Sequence, residues 1–305
     1  MSELRMGAPE WLMLIALSVV WGGSFFFAEI ALRAYGPMTI VAIRVCIGAM
    51  GLVMLVRALG QSLPTRVAAW RDLFVMGALN NAVPFSLIVW GQIHIDSGTA
   101  SILNGTTPFF TILLAHFLLV GERMTGAKIA GIGFAVIGVA VLAGPSAVEG
   151  LTQTIEGQAA VLLAAISYAF AGVWGRKRLS GLASTPAAAG MLLASSVIMV
   201  PLALASEGMP ELPGGMEMWG ALLGIGLLST SLAYLLYFRI LAAAGASNLL
   251  LVTMLIPASA MVLGVSILGE EIQVSALAGM GLIALGLAVI DGRLFRRWLS
   301  DGDTA

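Results

Sequence analysis

Several residues that form strong polar contacts lie inside long apolar stretches of this sequence, where they must find partners. Arg44 is the clearest case, because a cation at the centre of an apolar helix costs about 2.5–3.5 kcal/mol on insertion scales. It should therefore face protein or water, and Glu29 is one candidate partner. Arg44 then serves either as a structural contact, or as a gate or a contact for a substrate carboxylate.

Three further apolar stretches each combine amide or hydroxyl side chains with a proline. They contain Asn80, Asn81 and Pro84; Asn104, Thr106, Thr107 and Pro108; and Thr253 and Pro257. Proline lacks an N–H and clashes with the carbonyl four residues earlier, so it bends a helix and frees polar groups. Such groups either bind a polar solute or form hydrogen bonds between helices.

Aromatic residues lie at similar depth in the apolar stretches. Trp21, Tyr168 and Tyr234 are placed to stack on a bulky ligand. The alternative role for Trp and Tyr is in the aromatic belts at a membrane interface. The chemistry available to these residues is therefore non-covalent binding of a small solute.

The sequence carries no motif typical of catalysis or cofactor binding. It has no HExxH, GxSxG or metal-ligand cluster, and Gly121 to Lys128 lacks the Gly-Lys-Ser/Thr ending of a phosphate loop. The single cysteine, Cys46, excludes an intramolecular disulfide. A net charge of −1 offers no electrostatic footprint for nucleic acid. We therefore expect that the protein is not an enzyme and that it binds no cofactor, metal or nucleic acid.

Composition indicates that lipid surrounds these residues. The chain is 59% hydrophobic and 10% charged, whereas soluble domains carry about 25% charged residues. The sequence predicts an all-α membrane protein with ten transmembrane helices joined by short loops. The predicted spans are 11–32, 37–57, 73–93, 98–120, 126–143, 158–175, 187–206, 218–238, 245–268 and 275–291.

Basic residues set the predicted orientation. The run after Arg5 extends to Leu32, which is too long for the core of a signal peptide, so we interpret it as the first span. With both termini cytoplasmic, all of the 15 Lys and Arg residues except Arg33 and Arg44 fall in cytoplasmic segments. This distribution follows the positive-inside rule and predicts a multi-pass protein of the cell inner membrane.

The two halves of the chain share ordered landmarks. Gly98, Pro108 and Gly121-Glu122 in the first half correspond to Gly245, Pro257 and Gly269-Glu270 in the second. Gly131, Gly133 and Gly138 likewise correspond to Gly279, Gly281 and Gly286. The landmarks divide the chain into 1–144 and 145–305, with five predicted spans each. Five is odd, so the second half is predicted to enter the membrane inverted, with a substrate near the midplane.

These landmarks carry a resemblance to a known family. The relevant residues are Trp21-Gly22, Pro37 and Arg44 in the first half, and Ala233 to Arg239 with Gly245-Ala246-Ser247 in the second. The sequence resembles the EamA repeat of the drug/metabolite transporter superfamily, and within it the YddG-type amino-acid exporters. The resemblance implies ten helices in two inverted five-helix repeats and export of small metabolites. The sixth span departs from it, with Ser167-Tyr168-Ala169 in place of Trp21-Gly22.

Together these features predict an exporter of amino acids, aromatic or bulky and neutral, that works by alternating access. A carrier of drugs, nucleotide sugars or other metabolites is the nearest alternative, and a membrane enzyme or non-transporting scaffold is a second. The scarcity of carboxylates within the spans argues against obligate proton antiport, and export down a gradient would suffice. The expected partners are the small-molecule substrate and the lipid bilayer. The oligomeric state is open, and a monomer is compatible with the sequence.

The orientation predicts a specific labelling pattern. In a Cys46→Ala background, Ser146→Cys should react with a membrane-impermeant thiol reagent on intact cells, and Ser180→Cys should not, because only the first lies in an outer loop. Labelling of position 180 alone would reverse the assigned orientation.

Overall fold

A computed structural model describes residues 7–120, 122–143, 152–249 and 251–291, in which every regular element is helical. Gly121, Ser146 and the terminal basic residues Arg5, Arg293, Arg296 and Arg297 lie outside these ranges. The helices are α1 Ala8–Leu32, α2 Pro37–Ala58, α3 Val67–Gly91, α4 Ser97–Leu118, α5 Gly126–Ala143, α6 Thr152–Arg178, α7 Ser184–Glu207, α8 Met216–Ala244, α9 Val252–Leu268 and α10 Val274–Asp291. A short helix, Ala246–Leu249, precedes α9.

Most of these helices have the length and composition of membrane spans. Among the described residues, eight helices are long and apolar enough to cross a bilayer, and two apolar helices, Gly126–Leu142 and Val252–Leu268, are shorter. Each predicted span overlaps one of these helices. Helix α3 begins at Val67, six residues before the predicted start at residue 73, which was placed there because Arg66 and Arg71 indicate a loop. In the structure, the Trp70 indole N–H donates to the Pro64 carbonyl at 2.8 Å and holds the first turn of the helix.

The main contacts between helices follow the same pattern in the two halves. Helix α1 packs against α8 and α9, just as α6 packs against α3 and α4. Helices α2 and α7 pack on each other, and so do α5 and α10. The main neighbours of these helices are therefore equivalent in the two halves, although α1 also contacts α2 and α4.

The paired counterparts run antiparallel. Along α5, Gly131 faces Gly286, and Gly138, farther along, faces Gly279, so the numbering of α10 falls as that of α5 rises. Between α2 and α7, Gly36 lies against Glu207, and Gly48 against Leu192. This reversal agrees with the predicted inversion of the second half. The landmark glycines let the α5 and α10 backbones approach closely, as small residues do between membrane helices.

The contact between α5 and α10 predicts a position-specific effect on stability. A Cβ at Gly138 would lie 2.9 Å from the Gly279 carbonyl oxygen, whereas a Cβ at Gly133 meets nothing within 4 Å. Gly138→Leu should lower the free energy of unfolding by about 1–3 kcal/mol through overpacking, and Gly133→Leu should be close to neutral. Thermal unfolding of the detergent-purified variants measures both, and equal stability would contradict the close contact.

Candidate substrate-binding site

An aromatic cluster joins α1 and α8 in the interior. The Trp21 and Tyr237 rings lie 5.9 Å apart between centroids, and Tyr237 contacts Phe238 edge-on at 5.3 Å. Tyr234 stacks on Phe238 at 6.0 Å. All four side chains are half-buried, so they retain surface for a ligand. The spacing of Tyr234, Tyr237 and Phe238 at three and four residues is the sequence signal for this shared face.

Tyr168 lies where the two halves of the apolar core meet. The core consists of two hydrophobic clusters, and the half-buried Tyr168 side chain packs against both. Its ring also contacts Phe85 of α3 edge-on, with centroids 6.5 Å apart. Tyr168 therefore lies in the centre of the fold, as its depth in the sequence predicted.

Arg44 is buried in the same region, with 7% of its surface exposed. Its Nε donates a hydrogen bond to Thr230 Oγ1 at 3.1 Å, and its guanidinium lies 3.6 Å above the Phe85 ring centroid. It also interacts electrostatically with Tyr168 and Tyr234. These contacts replace the predicted pairing with Glu29. A cation held over an aromatic face is stabilised by the ring quadrupole, so α3 and α8 together solvate the charge carried by α2.

Two π-helical segments position these polar groups. They span Ala78–Ala82 in α3 and Gly224–Leu232 in α8. Wider turns of this kind occur often at functional sites. The predicted interruption at Asn80 and Pro84 is therefore a π segment that leads directly into α-helix, with Pro84 in its first turn. The hydrogen-bond pattern is shifted there without exposing backbone to lipid.

The two adjacent asparagines have different surroundings. Asn80 is half-buried, and its Nδ2 donates to the Tyr234 hydroxyl at 3.0 Å, which places it at the aromatic cluster. Asn81 has no exposed surface and donates to Ser195 Oγ at 2.9 Å. The one hydroxyl proton of Ser195 is in turn shared between the carbonyls of Met191 at 2.8 Å and Gly77 at 3.1 Å. Asn80 thus faces the interior site, and Asn81 ties α3 to α7.

The break of α4 lies against Pro257 of α9. α4 is interrupted at Gly105, and a Cβ there would lie 3.7 Å from the ring of Pro257, inside α9. Thr107 Oγ1 donates to the Asn104 carbonyl at 2.7 Å, and Pro108 lies in the turn that follows. Asn104 Oδ1 is buried and has no hydrogen-bond partner in the described part of the chain. It is an acceptor available to a donor that enters the break.

Thr253 lies in the first turn of α9, directly after the short helix Ala246–Leu249. The interruption of this segment therefore precedes Pro257 by several residues. Pro257 itself lies within continuous α-helix.

Acidic side chains hold the two halves together at one end of the molecule. The Glu207 carboxylate accepts hydrogen bonds from the Met38 and Thr39 amides at 3.0 and 2.9 Å. Glu270 likewise accepts from the Ser97 amide at 3.1 Å. Both acids satisfy free N–H groups at the start of a helix from the other half.

The counterpart of Glu270 makes different contacts at the opposite end. Glu122 accepts a hydrogen bond from Arg176 at 2.8 Å and lies 3.6 Å from Lys128. The bond from Arg176 holds the pKa of the Glu122 carboxyl below its usual range. The two ends of the molecule are therefore not equivalent, although the sequence landmarks are.

The described residues form packed apolar helices around a half-buried aromatic and polar centre, and the family that this chain matches is one of membrane transporters. The chain belongs to the EamA-like transporter family, which matches residues 9–144 and 155–291. It is 28% identical to a probable terminal-alkyne amino-acid exporter of Streptantibioticus cattleyicolor, over 96% of this chain and 97% of that protein. It is 24% identical to the uncharacterized inner membrane transporter YedA of Escherichia coli, over 94% and 92%. A crystal structure that is 20% identical, with a TM-score of 0.68 over 96% of this chain and 99% of that one, shares the fold.

The separate roles of the asparagines predict different mutant phenotypes. Asn81→Ala removes a buried hydrogen bond between helices and should lower the free energy of unfolding by roughly 0.6–1.7 kcal/mol. Asn80→Ala should change stability less, because its side chain is half-buried. Denaturant unfolding in mixed micelles compares the two variants. A larger loss for Asn80→Ala would show that the assignments are reversed.

Proposed function

We propose that this transporter exports amino acids with aromatic or bulky neutral side chains. The observation that carries the proposal is the half-buried aromatic cluster of Trp21, Tyr234 and Tyr237 beside the Asn80 amide. Aromatic rings offer a bulky side chain a large contact area in stacked or edge-on geometry. The Asn80 amide and the Tyr234 hydroxyl offer hydrogen bonds to the polar end of the same molecule.

The charge of the site favours an amino acid over a phosphorylated metabolite. In the described part of the centre, Arg44 is the one cation, and it is already held by Thr230 and Phe85. A nucleotide sugar would require several cations around its phosphates, whereas a zwitterion has no net charge. The relative from Streptantibioticus cattleyicolor, named as a probable amino-acid exporter, supports the same substrate class.

The proposed mechanism is alternating access between two inverted five-helix halves, residues 1–144 and 145–305. In this proposal the chain crosses the cell inner membrane ten times, with both termini in the cytoplasm. The antiparallel pairing of α2 with α7 and of α5 with α10 supports inversion of the halves. The contacts of Glu207 and Glu270 then close the outer end, and their release would open it. The remaining proposed binding residues are Asn104, Thr107, Tyr168 and Thr253, whereas the fully buried Asn81 is proposed to hold α3 against α7.

Transport by purified protein separates this proposal from its rivals. In proteoliposomes loaded with a panel of labelled amino acids, aromatic and bulky neutral members should leave faster than from protein-free liposomes. A drug or sugar carrier of the same family would move other solutes, and a scaffold or an enzyme would move none.

Trp21 provides the sharpest mutational test of the site. Trp21→Ala should raise the half-saturation concentration for aromatic amino acids about 2- to 10-fold, the equivalent of roughly 0.5–1.5 kcal/mol of ring contact. Small amino acids should be affected less. Trp219→Ala is a matched control, because Trp219 is 43% exposed on the outer surface of α8. Equal kinetics in wild type and Trp21→Ala would place the site elsewhere.

A further inference from the structure

A buried amide meets a carboxyl group between α1 and the end of α3. Gln92 is 4% exposed, and its Nε2 donates to the Phe25 carbonyl at 2.9 Å and to Glu29 Oε2 at 3.4 Å. Gln92 Oε1 is also buried, and it has no hydrogen-bond partner among the described residues. An unsatisfied buried acceptor costs about 1–3 kcal/mol, so a hydrogen-bond donor at this oxygen would stabilise the fold.

We propose that Glu29 and Gln92 form a proton-binding site. An ionised carboxylate only accepts hydrogen bonds, but a protonated carboxyl group also donates one. A proton on Glu29 would turn the side chain into the donor that Gln92 Oε1 lacks, while Gln92 Nε2 keeps its bond to Phe25. Binding of one proton then satisfies both polar ends of the buried amide.

The charges around Glu29 favour a bound cation. Asp96 before α4, Glu270 after α9 and Arg33 after α1 all act electrostatically on Glu29. Arg33 is exposed and paired with Glu217 at 3.0 Å, so its charge is shared. Burial, together with Glu270, raises the pKa of Asp96. Several carboxyl groups at one place disfavour full ionisation of all of them.

Water has a route to this site. Glu29 and Gln92 line an open cavity of about 340 Å³, together with Arg33, Tyr35 and Pro37. The cavity lies at the end of the molecule that the acidic contacts close. Protons from solution therefore reach Glu29 without passing through the aromatic cluster.

The position of Glu29 links it to the proposed substrate site. Trp21, Phe25 and Glu29 follow one another at intervals of four residues on one face of α1, about 12 Å from first to last. Gln92 holds the Phe25 carbonyl in the middle of this face. Protonation of Glu29 changes the hydrogen bonds of Gln92, and Gln92 is bonded to α1, the helix that carries Trp21. This coupling rests on the proposed function, whereas proton binding does not.

Infrared difference spectroscopy tests proton binding without any substrate. Full-length protein in liposomes should show a carboxylic-acid C=O band that appears as the pH is lowered. Glu29→Gln should remove that band, and Glu156→Gln, at an exposed carboxylate of α6, should leave it unchanged. Gln92→Met keeps the size of the side chain but removes both the Oε1 acceptor and the Nε2 donor that meet Glu29, so the band should remain and move to higher frequency. This second variant decides the question if Glu29→Gln folds poorly.

Three results would overturn the site. They are a band that survives in Glu29→Gln, a band whose frequency is the same in Gln92→Met, and a band that sodium ions displace at constant pH. Proteoliposomes with an imposed pH gradient then test coupling: efflux of phenylalanine should follow the gradient in wild type and lose that dependence in Glu29→Gln. A titrating band without any amino-acid transport would contradict the proposed function alone and leave the proton site standing.

Discussion

A backbone in hydrocarbon has no water to bind, so every amide and carbonyl must find its partner within the protein. The described fold follows from this constraint. Polar residues interrupt the regular α-helix in the π-helical segments Ala78–Ala82 and Gly224–Leu232. There each backbone hydrogen bond spans five residues instead of four, so the backbone groups keep partners within the helix. Helix starts that lack internal partners receive them from Glu207 and Glu270. The same devices that satisfy the backbone therefore place polar side chains at the centre and join the halves at one end.

The centre combines two kinds of polar contact. Arg44 and Asn81 are buried, and their hydrogen-bond partners lie on other helices, so they fix the relative positions of α2, α3, α7 and α8. Asn80 and Tyr234 are bonded to each other but remain half-buried. A rigid buried frame beside a partly open pair is a suitable basis for binding, because the frame limits the reorganisation that a ligand must induce.

The sequence was sufficient to locate the helical segments and to align the glycines of α5 with those of α10, because local composition and an internal repeat are visible in the sequence. That Gly131 faces Gly286 and Gly138 faces Gly279 appears only in the fold. The partners of Arg44 were not predictable. Thr230 is 186 residues away and looks like any hydroxyl in an apolar run, whereas Glu29 was the more obvious charge. Asn81 and Ser195 are similarly distant, at 114 residues. The contact between Glu29 and Gln92, 63 residues apart, was likewise not predictable, because only the fold brings the two side chains together.

Helix α2 packs antiparallel on its counterpart α7, and α5 does so on α10. Each half therefore uses the same helices to contact the other, as the subunits of a homodimer do. The chain can be regarded as two subunits of such a dimer joined by a linker. A true homodimer would present every contact to its ligand twice, in opposite directions. Fusion lets the copies diverge, so that Tyr168 stands where the other half has Trp21 and Arg44 has no equivalent in α7. A molecule with distinct ends can then be bound in a single orientation.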